Sequence, residues 1–502
     1  MVPSRIASWI FFALGAVAPW ICGARSHLPG VLWFCGTAMG AAFLLVVAER
    51  RKERRGLQVP KAIIYVSGAL GLCLAWWITR PEPPFATPFT AEHWGFLEAQ
   101  FPTAILQWPR VEWLCFTGCL LLGFIAVADL GRSETFRRQL CLVIGVSGLA
   151  IACGSLAQRF LGVGFPSWLW ISGVTERYNF VFFNHNAAAA CLDFAWPLLV
   201  FREWKGSAIL PRAGAACIAL IVALLCFPLW HSESAWAIAG GLTAAGITWL
   251  VFVALKQENP RLIFVAFAGV LLAVFSWQLV MVHRMQKQYP DNWISAEMTL
   301  YSSPDRDARL RTLSMQRGDR MVISGADPFP AAWLTGLRMG AAHPFVGEGP
   351  GSWVREAVLY SNDPIVNTFY QHRQFAHHDL LQTASEWGVV PALLWVFLWI
   401  GGFYRAVRRD PSGTREVALV LALFGMALHS ALHFPLQVPA LQIWTILLLG
   451  LAWSRRARKT SPEMAVAGAA TDGETQSSDL VESEPRRSSR REKSRRDAEP
   501  RG

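Results

Sequence analysis

The chain has 502 residues, of which 53% are hydrophobic, 12% aromatic and only 16% charged, against roughly 25% charged in ordinary soluble domains. The apolar residues fall in blocks of membrane-spanning length, which excludes a water-soluble enzyme built of two or three globular cores. The formal net charge of +11 sits largely in short connectors between those blocks and in the final tail, so it reads as membrane topology and excludes a nucleic-acid groove.

Taken in chain order, apolar runs occur at 6–22, 29–48, 61–79, 111–129, 139–157, 184–202, 209–230, 236–255, 262–283, 387–404, 416–434 and 437–453. Each is long enough to cross about 30 Å of hydrocarbon as a helix. The first, which follows Arg5 and ends near Cys22, reads as a retained helix, because a second run starts at once and no small-x-small cleavage site is clear. Basic residues collect in alternate connectors: Arg50, Arg51, Lys52, Arg54 and Arg55, then Arg132, Arg137 and Arg138. Arg202, Lys205 and Arg212 follow, then Lys256 and Arg261, then Arg405, Arg408, Arg409 and Arg415, and finally Arg455, Arg456, Arg458 and Lys459. The expected fold is therefore an all-α polytopic membrane protein with about twelve transmembrane helices and both termini cytoplasmic.

This places nine helices in 1–283, with outward loops at 80–110 and 158–183, a large outward loop at 284–386 between helices nine and ten, and three more helices in 387–454. The large loop is rich in Arg, Trp, Tyr, Gly and Pro and carries helix-like stretches such as 331–339, so it is expected to be ordered, partly helical and to bear the site. The tail at 455–502 mixes Ser, Glu, Asp and Arg and is expected to be disordered, its basic run 486–496 lying near anionic lipid. Many of the 24 tryptophans fall near span ends, as in an interfacial belt. All ten cysteines lie in or beside apolar segments, and Cys115 and Cys119, four apart on one helix face, read as core thiols rather than a metal site.

Polar clusters beside or within spans are costly and call for a reason. The first is Arg177 to Asn186, which includes Asn184, His185 and Asn186. It reads either as a helix N-cap with an interfacial arginine, or as an arginine over a helix N-terminus, both suited to a phosphate. The second runs from Ala376 through His377, His378, Asp379 and Gln382 to Glu386 and Gly388. A histidine there titrates near neutral pH and suits proton transfer, though two surface histidines would look the same. His372, His377 and His378 match no standard zinc spacing, and His429 and His433, four apart on a span, read as polar helix packing ahead of a metal pair. The third is His343 to Trp353, a turn with Gly347, Gly349 and Gly351 where backbone can approach a ligand. It lacks the Gly-Lys-Ser/Thr of a P-loop.

In this order on a twelve-span scaffold, these segments resemble the O-antigen ligase family, whose superfamily also holds Wzy-type polymerases and protein O-oligosaccharyltransferases. Arg177, Asn184 and Asn186 are similar to its arginine followed by a Phe-rich Asn-x-Asn stretch, with Phe180 in place of a usual glycine. Trp333, His343-Pro344, Gly347, Gly349 and Gly351 look like its Trp to His-Pro to Gly-x-Gly run. Ala376-His377, Asp379, Gln382, Glu386 and Gly388 resemble its Ala-His-Asn-Asp motif, with His378 in the Asn position. His429-Ser430 through Leu436 resembles its penultimate span, with His433 replacing an aspartate. Phe329 and Ala235 stand where the family has arginines, leaving Arg320 or Arg338 to supply a second guanidinium.

The resemblance implies transfer of a glycan from an undecaprenyl-diphosphate donor to an acceptor hydroxyl on the periplasmic face of the bacterial inner membrane. The acceptor would be a glycolipid such as lipid A core, a growing glycan or a protein. Arg177, with Arg320 or Arg338, would stabilise charge on the departing diphosphate, and His377 would take the hydroxyl proton. Asn184, Asn186, His378, Asp379, Gly349 and Gly351 would support them. Inversion without a metal or other cofactor is the expected course. A lipid-linked glycan transporter is the reading from another class, for which charges at mid-bilayer and inverted repeats would speak; the charges here are expected at the outer face, and no repeat is seen.

Overall fold

The computed structural model describes residues 3–22, 31–57, 59–79, 108–161, 185–200, 329–353, 375–409 and 414–455, with single positions between 269 and 283 and at 357 and 360. The elements are α1 (Pro3–Cys22), α2 (Val31–Lys52), α3 (Lys61–Thr79), α4 (Trp108–Leu130), α5 (Glu134–Leu161) and α6 (His185–Val200). They continue with α7 (Phe329–Ala342), α8 (Asp379–Trp387), α9 (Val389–Arg409), α10 (Thr414–Leu432), a 3-10 turn (Pro435–Gln437) and α11 (Pro439–Trp453). Among the described residues there is no strand, and the architecture is all-helical. Five of these helices contain stretches long and apolar enough to cross a membrane: Pro3–Ile21, Leu32–Lys52, Trp113–Leu130, Glu134–Gly154 and Val389–Arg409. Shorter apolar stretches lie in α3, α6, α10 and α11. The spans expected at 209–230 and 236–255, and the tail beyond 455, lie outside the described residues.

The bundle is organised around α11. A helix that is apolar on every side has to be enclosed by others, and all residues from Pro439 to Trp453 except Gln442 are buried. Its two tryptophans satisfy their indole N–H groups on neighbouring backbones, Trp444 Nε1 donating to the Gly15 carbonyl of α1 and Trp453 Nε1 to the Leu398 carbonyl of α9, each at 2.8 Å. Small residues let backbones approach, as where a Cβ on Gly450 would stand 3.0 Å from the Phe124 carbonyl oxygen of α4. Outward faces carry Trp9, Phe34, Leu44, Leu72 and Phe397, all exposed, as suits helices solvated by lipid.

The two ends of the bundle differ in chemistry. At one end the arginines of the connectors turn inward onto buried carboxylates. Arg50 Nε meets Asp129 at 2.7 Å, and Arg132 meets the same carboxylate at 3.0 Å. Arg137 reaches Glu416 at 2.6 Å, with Arg409 on the same oxygen at 3.1 Å. The Asp129 pairs join the C-terminal ends of α2 and α4, and the Glu416 pairs join the N-terminal ends of α5 and α10 to the C-terminal end of α9. Removing one partner of such a buried pair leaves an uncompensated charge, so they act as a brace whose loss costs about 3–5 kcal/mol. The segments singled out as candidate site residues meet at the opposite end.

Candidate active site

The short helix α8 is the piece on which the site is assembled. Its inward face is polar: Asp379, Gln382, Ser385 and Glu386 are buried, while Leu380 and Leu381 are only partly covered. Ser385 Oγ donates within the helix to the Gln382 carbonyl, and the other three are spent on neighbouring segments. Asp379 accepts from the Leu436 N–H at 2.8 Å and from Gln437 Nε2 at 3.1 Å, which ties α8 to the turn between α10 and α11. Gln382 accepts from the Ala376 N–H at 3.0 Å and donates to Glu386 at 3.1 Å. Glu386 accepts from the backbone N–H groups of Gly351 and Trp353, at 3.1 and 3.2 Å.

The glycine-rich turn is thereby clamped to α8. Its Glu348 and Gly349 N–H groups donate to the Ser385 and Glu386 carbonyls, at 2.9 and 2.8 Å, and the Val389 N–H donates to the Pro344 carbonyl at 2.6 Å. Backbone packs directly on backbone here, which is why glycine is needed. Gly347 (φ 63°) and Gly388 (φ 91°) both have positive φ, which favours glycine. A Cβ on Gly347 would stand 2.4 Å from the Glu386 carbonyl, and one on Gly388 would stand 2.3 Å from the Phe345 carbonyl oxygen. The break at Gly388 also separates Glu386 and Trp387 from the span: they close α8, and the spanning helix α9 begins at Val389.

The two histidines at the head of α8 take different parts. His378 is buried and caps the helix, its Nδ1 accepting from the Leu381 N–H at 3.3 Å. Burial pushes its imidazole down to about 4, which keeps the ring neutral and the capping lone pair available. Burial likewise pushes the Asp379 carboxyl up to about 8, outweighing the hydrogen bonds from Leu436 and Gln437. His377 is only partly covered and has its backbone in the left-handed region at φ 53°, which is uncommon for a non-glycine residue. That conformation is held by Trp333 of α7, whose Nε1 donates to the His377 carbonyl at 3.0 Å. The His377 ring stands edge-on to Phe434 at 4.8 Å between centroids and beside His433 at 5.8 Å.

The structure thus brings together Trp333, His343, Gly347, Gly349, Gly351, His377, His378, Asp379, Gln382, Glu386 and Gly388. Arg338 is on α7, but at 100° per residue it lies on the face opposite Trp333, Gly336 and Gly340, the residues turned toward α8. Asn186 falls in the first turn of α6. Arg177, Asn184 and Arg320 lie outside the described residues. Among the described residues no three His, Cys, Asp or Glu side chains form a metal-binding group.

One feature departs from the expected gathering of charge at the outer face. Asp193, in the middle of α6, is buried and meets Nδ1 of His429 of α10 at 2.8 Å. The pair spans 236 positions of sequence; its sequence signals are an aspartate inside an apolar run and the polar His429 on a span, neither of which names the partner. No protein-family model matches the chain, and no curated protein matches it.

Proposed function

We propose that this chain is a polytopic membrane glycosyltransferase of the O-antigen ligase kind, with about twelve spans, both termini cytoplasmic and the α7–α8 region on the periplasmic side of the bacterial inner membrane. It transfers a glycan from an undecaprenyl-diphosphate carrier to an acceptor hydroxyl, of a glycolipid, a growing glycan or a protein. The observation that carries this reading is the setting of His377: a partly open imidazole in a strained backbone, at the end of the bundle away from the arginine-rich connectors. A donor lipid held in the bilayer would present its diphosphate at that depth. In the proposed reaction His377 takes the proton of the acceptor hydroxyl as the oxygen attacks the anomeric carbon. Arg177 holds the departing diphosphate, with Arg320 as a second cation, because Arg338 lies on the face of α7 turned away from α8.

The Asp193–His429 pair inside the bundle favours a second reading, a lipid-linked glycan transporter, because buried ionisable pairs in spans also serve translocation. The test is to supply membranes containing the protein with undecaprenyl-diphosphate glycan and a panel of the three acceptor classes. A product whose mass equals acceptor plus glycan supports transfer and names the acceptor; movement of the donor across the membrane with no covalent product supports transport.

A further inference from the structure

His377 is the first of a row of ionisable groups that runs inward. Its ring lies 5.8 Å from that of His433, which lies 5.6 Å from that of His429, whose Nδ1 meets Asp193 at 2.8 Å. Hydrogen-bonded imidazoles stand about 5 Å apart between centroids, given an N···N distance of about 3 Å, so each gap closes with a small ring rotation or one bridging water. His433, His429 and Asp193 are all buried, each about 2% exposed. The backbone of His433, in the middle of the row, is held on both sides. The His433 carbonyl accepts from the Asp379 N–H at 3.2 Å, and its own N–H donates to the His429 carbonyl at 2.8 Å. A carboxylate on Nδ1 of His429 holds the proton there and leaves Nε2 as the acceptor. That Nε2 is buried and makes no hydrogen bond among the described residues.

We propose that His433, His429 and Asp193 form a relay that draws the proton collected by His377 into the bundle, an inference that rests on the glycan-transfer reading. The acceptor O–H breaks as His377 gains an N–H. His377 then gives up its other N–H proton to His433, and His433 passes one to Nε2 of His429. The resulting imidazolium lies against the Asp193 carboxylate, which supplies the counter-charge that an apolar interior lacks. The lipid diphosphate leaves with the electron pair of the glycosidic bond, and the proton returns outward by the same groups once product departs. Among the described residues, the titratable groups around the row are His377, His378 and Asp379 from the α8 segment, His429 from α10, His433 just beyond its end, and Asp193 and Cys191 from α6. None of the three relay residues needs to touch substrate.

The test compares the wild-type protein with His433→Gln and Asp193→Asn in the transfer assay, each checked for elution as intact protein in detergent. The relay predicts a fall in kcat of about tenfold or more with the donor KM unchanged, and recovery of rate on adding free imidazole as a diffusible base. His433→Asn serves where the Gln variant does not insert. Unchanged kcat in both variants, or a loss that imidazole does not restore, overturns the relay while leaving the transfer reading in place. Absence of transfer by the wild-type protein overturns both.

Discussion

Gly388→Ala is the substitution whose effect the geometry states most directly. A methyl group there would lie 2.3 Å from the Phe345 carbonyl oxygen, 2.5 Å from its carbon and 2.7 Å from the Val346 nitrogen, whereas real Cβ contacts hardly ever fall under 3.0 Å. The two backbones would have to part by roughly 0.7 Å, which strains the Val389 to Pro344 and Gly349 to Glu386 hydrogen bonds. The residue also sits at φ 91°, ψ 162°, a region costing a non-glycine residue about 1–3 kcal/mol. Overpacking adds about 1–3 kcal/mol, for a total of about 2–6 kcal/mol. Gly118 of α4 is the control, since nothing lies within 4 Å of its added Cβ, and alanine there should be neutral or stabilising by up to about 1 kcal/mol. Thermal melts followed by fluorescence-detected size exclusion in detergent should show a clear drop for Gly388→Ala and none for Gly118→Ala. A Gly388→Ala protein that melts with the wild type would refute the backbone-on-backbone clamp.

Gly347→Ala should behave as Gly388→Ala does, since its methyl meets the Glu386 carbonyl from the other side of the same contact. Glu416→Gln should destabilise by about 3–5 kcal/mol, because Arg137 and Arg409 both lose their carboxylate; a double-mutant cycle with Arg137→Met measures the coupling. The pH dependence follows from two shifts of opposite sign. Asp379, raised from 3.8 to about 8, holds a proton in the folded state that the unfolded chain has lost, so it lowers stability as pH rises through that window. His378, lowered from 6.5 to about 4, lowers stability as pH falls through its own window. The two slopes oppose each other between about 4 and 6.5, and from about 6.5 to 8 only the Asp379 slope remains, at up to about 1.4 kcal/mol per pH unit. Asp379→Asn should remove that decline, as read from melts across pH.

Much of the architecture is legible in the sequence because lipid and water impose a coarse rule. Apolar runs among the described residues are helices, and the connector arginines Arg50, Arg132, Arg137 and Arg409 pair with carboxylates at one end of the bundle. The cluster around α8 was legible only through the order and spacing of its motifs. Hydrophobic patterning would have turned Leu380 and Leu381 inward, whereas the helix buries Asp379, Gln382 and Glu386 to hold three other segments. The left-handed backbone of His377 has no compositional signal, since glycine or asparagine is what such a position usually shows. The Asp193–His429 contact joins helices far apart in the chain, and neither residue announces its partner.

The central claim is that His377 performs proton transfer in glycan transfer. The measurement that tests it is the rate of product formation from undecaprenyl-diphosphate glycan by His377→Ala against wild type in membranes matched for protein level. The account predicts a loss of about 10²-fold or more with normal insertion. Transfer by His377→Ala at the wild-type rate would contradict it.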